Sequence, residues 1–172
     1  MNRIYQSLVA ACLLLGLASI TSCKPYNVAE PLTTFRNAAG ETLSGDLLTV
    51  TPGTQWSAGT DYTNFLLTGQ ACAEEDASAT LAFHTDGEGK GYEVLFHNGP
   101  IDGTCKTGSL VAVRNLYRSL AEDGGWFDFE IAVRGRNITV AINQTEVVCY
   151  TEPAQPYRTA AYAKRLLSHG DI

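Results

Sequence analysis

Apolar and polar residues alternate along this chain in short runs, and turn residues interrupt them at short intervals. Alternation at a period of two is the signature of half-buried strands. It predicts strands over 47–50 (LLTV, stopped by Pro52-Gly53), 64–73 (NFLLTGQACA, followed by the acidic turn Glu74-Glu75-Asp76), 80–85 and 91–97. The last two flank Asp86-Gly87-Glu88-Gly89-Lys90, a hairpin signal. Further strands are predicted over 108–115, 126–133, 137–143 and 145–150. In 126–133, Phe127, Phe129, Ile131 and Val133 take one face, and Trp126, Asp128, Glu130 and Ala132 the other. Only 159–167 (TAAYAKRLL) has a helical pattern, and it is short. Strands at regular spacing without alternating helices predict an all-β, antiparallel β-sandwich or barrel. At this size a two-sheet jelly roll with one short C-terminal helix fits best.

The N-terminus follows a different pattern. Arg3 precedes an unbroken apolar run over 8–17, of signal-peptide length and too short to span a bilayer as a helix. Ala18-Ser19-Ile20-Thr21-Ser22-Cys23 then places small residues before a cysteine, in the manner of a bacterial lipobox. The expected organisation is a lipoprotein signal peptide over 1–22, a tether over 23–31 and one jelly-roll domain over 32–172. Cys23 would carry the lipid. The expected location is the bacterial cell envelope, periplasmic or on the outer-membrane surface, with the membrane reached through that anchor. An ordinary signal peptide or a single membrane anchor is the alternative.

Composition narrows the function without naming it. Twelve Lys and Arg stand against 18 Asp and Glu, a formal net charge of −6. With no basic block, nucleic acid is not an expected partner. Beyond Cys12 and Cys23, the cysteines are Cys72, Cys105 and Cys149. Their spacing matches no zinc pattern, and an odd number leaves either one bridge and a thiol or three thiols. The glycine-rich loop at 86–91 lies between strands, where a phosphate loop would need a strand and a helix. Asp128 and Glu130 resemble half of the paired-carboxylate strand of laminarinase-type glucanases, but the first carboxylate of that motif falls at Trp126. The expected role for both is a solvated outer strand face.

The most chemically suggestive group is His84, Glu93 and His97. If the hairpin is centred on Glu88-Gly89, His84 lies directly opposite Glu93, with Cβ atoms about 5 Å apart. A carboxylate beside an imidazole orients its tautomer and makes a general base near neutral pH. His97 lies about 13 Å along the strand from Glu93, too far to share a metal through the strand alone. An exposed cross-strand pair of modest energetic value is the competing reading.

The series Gly91-Tyr-Glu-Val, Lys106-Thr-Gly-Ser, Gly125-Trp126-Phe-Asp, Ile142-Asn143 and Arg165-Leu-Leu-Ser-His-Gly170 resembles the 3-keto-disaccharide hydrolase family. The resemblance runs from about Gly45 to Ile172 and is sharpest from Gly91. It implies a concanavalin A-like jelly roll and a carbohydrate substrate already oxidised at C3. The ketone acidifies the C2 proton, so the glycosidic bond breaks by elimination and hydration rather than by paired-carboxylate chemistry. By this resemblance Glu93 takes the family's strand Glu, Trp126 its strand Trp and Asn143 its turn Asn. Adding the expected hairpin register to this, the catalytic set is expected to be Glu93, facing His84, with His97 nearby and with Arg114, on a strand expected to neighbour the hairpin, holding the enolate oxygen; the substrate-binding residues implied by the resemblance are Trp126 and Asn143. The cofactor is left open by the sequence: a divalent metal is one candidate, and no ligand set is readable. Leu95 and Gln144 depart from the family's Gln and Gly. Members continue past Gly170 with a closing strand, so the resemblance implies a domain truncated at its C-terminus. The alternative function on the same fold is a non-catalytic carbohydrate-binding module with Trp126 as a sugar platform.

Overall fold

The computed structural model describes residues 11–14, 17–20, 28–58, 62–85, 91–98, 105–161 and 163. Thirteen strands run in chain order: β1 (Ala11–Leu14), β2 (Leu17–Ile20), β3 (Val28–Pro31), β4 (Thr34–Asn37), β5 (Thr42–Ser44), β6 (Leu47–Val50), β7 (Trp56–Ser57), β8 (Phe65–Ala73), β9 (Ala79–Phe83), β10 (Tyr92–Phe96), β11 (Trp126–Arg134), β12 (Asn137–Ile142) and β13 (Thr145–Thr151). The main sheet is ordered β13-β12-β11-β8-β1-β6, with β2 and β3 attached beside β8. β9 and β10 form a second sheet, and β5-β4-β7 a third. All strand pairs are antiparallel. The molecule is thus an antiparallel β-sandwich of the jelly-roll type.

The sandwich closes on an aromatic interlock. The even positions of β10 (Tyr92, Val94, Phe96) and the odd positions of β9 (Leu81, Phe83) point at the main sheet. The main sheet answers with Phe65 and Leu67 of β8, Phe127, Phe129, Ile131 and Val133 of β11, and Ile138, Val140 and Ile142 of β12. Phe96 lies 5.7 Å from Phe127 and 5.2 Å from Phe129, centroid to centroid, and Phe65 lies 5.5 Å from Phe83. Edge-on packing of this kind adds about 0.5–1.5 kcal/mol per pair beyond area burial.

Most strands lie where alternation places them, and two segments differ. Residues 108–115 form no strand: Leu110 bridges Val94 and Arg114 singly, and Ala112 has a positive φ of 57°. The backbone of 107–111 nevertheless lines the free edge of β10 through Thr107 N–H to His97 O, Gly108 N–H to Leu95 O and Val111 N–H to Glu93 O. Of the C-terminal helix expected over 159–167, the described residues 160, 161 and 163 make 3₁₀ geometry, and 162 and 164–172 lie outside the described residues. Val28–Pro31, within the expected tether, is paired as β3. Residues 11–14, within the expected signal, are paired as β1.

The β9–β10 register also departs from expectation. Tyr92 pairs with Phe83 and Glu93 with Ala82, two residues away from the predicted His84 partner. The cause is local. His84 adopts φ +52° and leaves the ladder, while Gly91 passes so close to the chain that a Cβ there would meet the carbonyl oxygens of Phe83 and His84. The ladder therefore ends at the Phe83–Tyr92 pair, and 86–90, Glu88-Gly89 among them, lie outside the described residues. Gly91→Ala should cost about 1–3 kcal/mol of stability through overpacking against rigid backbone. A urea midpoint unchanged from that of the parent chain would show that the approach is not as close as described.

Candidate functional site

The β8–β11–β12 ladder puts a row of chemistry on the outer face of the main sheet. Register places Trp126 opposite Cys72, Asp128 opposite Gln70, and Glu130 opposite Thr68 on one side and Ala141 on the other. Alternation does the rest: Phe127, Phe129 and Ile131 go to the core, and Trp126, Asp128 and Glu130 go outward. Thr68 and Ala141 are small outward residues, and the backbone of Gly69 and Phe129 shows between them. The result is a cleft of about 460 Å³ lined by Thr68, Gly69, Gln70, Asp128, Phe129, Glu130, Ala141 and Gln144. Trp126 stands beside it, 49% exposed. Gln70 Nε2 donates to Asp128 Oδ1 at 2.9 Å, fixing one carboxylate. Glu130 follows two residues on, about 7 Å along the strand.

The β12–β13 turn closes one end of this row. Asn143 and Gln144 both have left-handed φ, 49° and 64°, the geometry of a tight two-residue primed hairpin. Asn143 is held at three points. Its N–H donates to Asp128 O at 2.9 Å, its Oδ1 accepts from Asp128 N–H at 3.0 Å, and its Nδ2 donates to Leu120 O at 2.9 Å. Its amide is thus spent on positioning Asp128 and the 115–121 loop. The residue implied by resemblance to bind substrate is in this structure a brace for the cleft.

The histidine–glutamate set does not assemble. His84 is 2% exposed, with Nε2 3.2 Å from Thr63 O and its ring edge-on to Phe65 and Phe83. Glu93 is half-buried and shares its face of β10 with Leu95, opposite Ala82. His97 is 1% exposed, and its Nδ1 lies 2.7 Å from Ala77 O. A carbonyl only accepts, so Nδ1 donates there, and among the described residues Nε2 has no hydrogen-bond partner. Arg114 is exposed and stacks its guanidinium 5.5 Å over Tyr150. Glu93 points away from the main sheet, since its neighbours Tyr92 and Val94 point into the core. Trp126 points away from the small sheet for the same reason. The whole core therefore lies between Glu93 and Trp126, and they cannot share one substrate.

A second polar group escaped the sequence reading. Beyond β13, Arg158 returns to bond Glu152 at 3.2 Å and the Tyr92 hydroxyl at 2.9 Å, with its guanidinium 5.7 Å over the Tyr92 ring. Burial pushes the Glu152 carboxyl above its ordinary value of 4.5, against the pull of Arg158. Among the described residues no three His, Cys, Asp or Glu side chains gather to hold a metal. Among the described residues no disulfide joins Cys72, Cys105 and Cys149.

A family model described as a 3-keto-alpha-glucoside-1,2-lyase-like domain matches residues 32–172. No curated protein matches the chain, and no solved structure matches it.

Two outcomes follow from this geometry. Asn143→Ala removes two side-chain hydrogen bonds and puts alanine, which tolerates left-handed φ less well than asparagine, at φ 49°, so a loss of about 2–3 kcal/mol is expected; a loss below about 0.5 kcal/mol would mean the brace carries nothing. Glu152 binds its proton more tightly folded than unfolded. Its contribution to stability is therefore full below about pH 4.5 and is lost as pH rises through the raised folded value. Denaturant titrations should show the parent chain losing stability relative to Glu152→Gln between pH 4.5 and 7, and a pH-independent difference would contradict the burial of this carboxyl.

Proposed function

We propose that this chain, which belongs to the 3-keto-alpha-glucoside-1,2-lyase-like family, cleaves 3-keto-glycosides by elimination in the Gln70–Asp128–Glu130 cleft. The observation that carries this reading is the convergence of two carboxylates and an exposed tryptophan on one dented sheet face. A plain binding surface needs the aromatic ring; it does not need the carboxylates.

Trp126 gives the sugar ring an apolar plane beside the cleft. Asp128, held by Gln70, accepts hydrogen bonds from sugar hydroxyls. Glu130 is the base. It takes the C2 proton, and the released electron pair forms the enolate with the C3 oxygen. The enolate collapses to a C1–C2 double bond as the C1–O bond breaks. The leaving oxygen then recovers the proton from Glu130, and water adds to the unsaturated product. The Thr68 hydroxyl and the Gln144 amide line the cleft on the side of the developing oxyanion. The family resemblance assigns the base to Glu93 instead, on the opposite surface. The N-terminal apolar run and the small residues before Cys23 support a lipid anchor at that cysteine and a place in the cell envelope.

Turnover of 3-keto-trehalose and 3-keto-glucosides tests the assignment. Glu130→Gln should lower kcat about 10²- to 10⁴-fold, Trp126→Ala should act mainly on KM, and Glu93→Gln should leave most of the activity. Loss at Glu93→Gln with retention at Glu130→Gln would move the base to the other face. Saturable sugar binding that Trp126→Ala abolishes, with no turnover of any 3-keto substrate, would favour the binding-module alternative that the exposed Trp126 also supports.

A further inference from the structure

Just past β10, Asn98 is gripped at its oxygens and left alone at its side-chain nitrogen. Its Oδ1 accepts the Thr107 hydroxyl at 2.6 Å and the Ser119 hydroxyl at 2.6 Å. Its main-chain oxygen accepts from Lys106 Nζ at 2.9 Å. Its Nδ2 is buried and has no hydrogen-bond partner among the described residues. The orientation of the amide follows from its neighbours. Thr107 Oγ1 already accepts the His97 N–H at 2.9 Å, and Ser119 Oγ the Ala121 N–H at 2.9 Å. Each hydroxyl therefore offers its proton, which Ser119 divides between Asn98 Oδ1 and Ala121 O. An amide needs acceptors for its NH2 as much as donors for its oxygen. Donors and a cation gather here instead, which is the company a carboxylate or an oxyanion keeps. The next residue is Gly99, and this is the one Asn-Gly pair in the chain. Glycine has no Cβ to hinder the approach of its nitrogen to the preceding side chain.

We propose that Asn98 is a self-modification site, where the Thr107 and Ser119 hydroxyls and the Lys106 ammonium promote its conversion to aspartate through a succinimide. Lys106 draws electron density from the Asn98–Gly99 peptide and eases loss of its proton to water. The peptide nitrogen then bonds to Asn98 Cγ, and the electron pair of the Cγ–Oδ1 double bond moves onto Oδ1. Thr107 and Ser119 hold the oxyanion as two donors of an oxyanion hole do. The pair returns, the Cγ–Nδ2 bond breaks, and Nδ2 takes a proton from water and leaves as ammonia. That nitrogen has no hydrogen bond to give up among the described residues. Water then adds to Cγ of the five-membered ring, the same hydroxyls hold the second oxyanion, and the ring opens to aspartate. The net change is one water consumed and one ammonia released. It leaves a negative charge at the root of the 115–121 loop, whose other anchor is Asn143 at Leu120 O.

The test holds the purified full chain in heavy-oxygen water, once folded and once unfolded in urea. Mass spectrometry of the peptide carrying residue 98 follows the loss of ammonia and the uptake of one heavy oxygen. The folded chain should convert faster than the unfolded one, because only the folded chain assembles the donors. Thr107→Val removes one donor and should slow the folded-state conversion about 10²-fold. Ser119→Ala removes the other and should slow it in the same direction; it decides the matter if Thr107→Val does not fold. A folded chain that converts no faster than the unfolded one would overturn the proposal. So would an unchanged folded-state rate in Ser119→Ala. Both readouts are independent of sugar turnover.

Discussion

β8 and β11 are paired from Trp126–Cys72 to Val133–Phe65 without a break, and this one ladder sets both sides of the main sheet. Inward it aligns Phe65 and Leu67 with Phe127, Phe129 and Ile131, against which the β9–β10 layer packs. Outward it aligns Thr68 and Gln70 with Glu130 and Asp128. A slip of one residue would exchange the two sets. Burying five large apolar side chains is worth on the order of 1.5–3 kcal/mol each, so the slip is excluded by the core. The outer face inherits its geometry at no separate cost. The carboxylates are ordered because the phenylalanines are.

The polar groups taken into the interior sit where ladders end. His84 turns inward just past β9, His97 just past β10, and Glu152 with Arg158 just past β13. At such points backbone carbonyls are released from strand pairing, and the imidazoles use two of them, Thr63 O and Ala77 O. The two histidines thereby become structural groups of the sandwich ends. Arg158 works similarly for the C-terminal segment, tying it to Tyr92 through one hydrogen bond, one ring contact and one ion pair.

Much of the architecture was legible in the alternation of residues. The core faces of β8, β10, β11 and β12 follow the period of two, because each strand buries one side only. Register was less legible. Placing Glu93 opposite His84 assumed a tight turn at Glu88-Gly89, whereas the positive φ of His84 and the close passage of Gly91 depend on contacts no local pattern encodes. The cleft was missed for a related reason. Asp128 and Glu130 look like any solvated strand face until β8 supplies Gln70 and Thr68 from almost sixty residues away in sequence, and until the small side chains of Thr68 and Ala141 leave room beside Glu130. Asn143 was noticed as a turn residue, but its two side-chain bonds reach chain segments that sequence distance hides.

Because Glu93 and Glu130 stand on opposite surfaces with a shared aromatic core between them, substitutions on the two faces have no common partners. Free-energy changes at such separated sites add. Each surface is thus free to drift without retuning the other. A sandwich of this kind can acquire a new specificity on one side while the chemistry of the other is held by selection, so sequence divergence within it should partition by face rather than by segment.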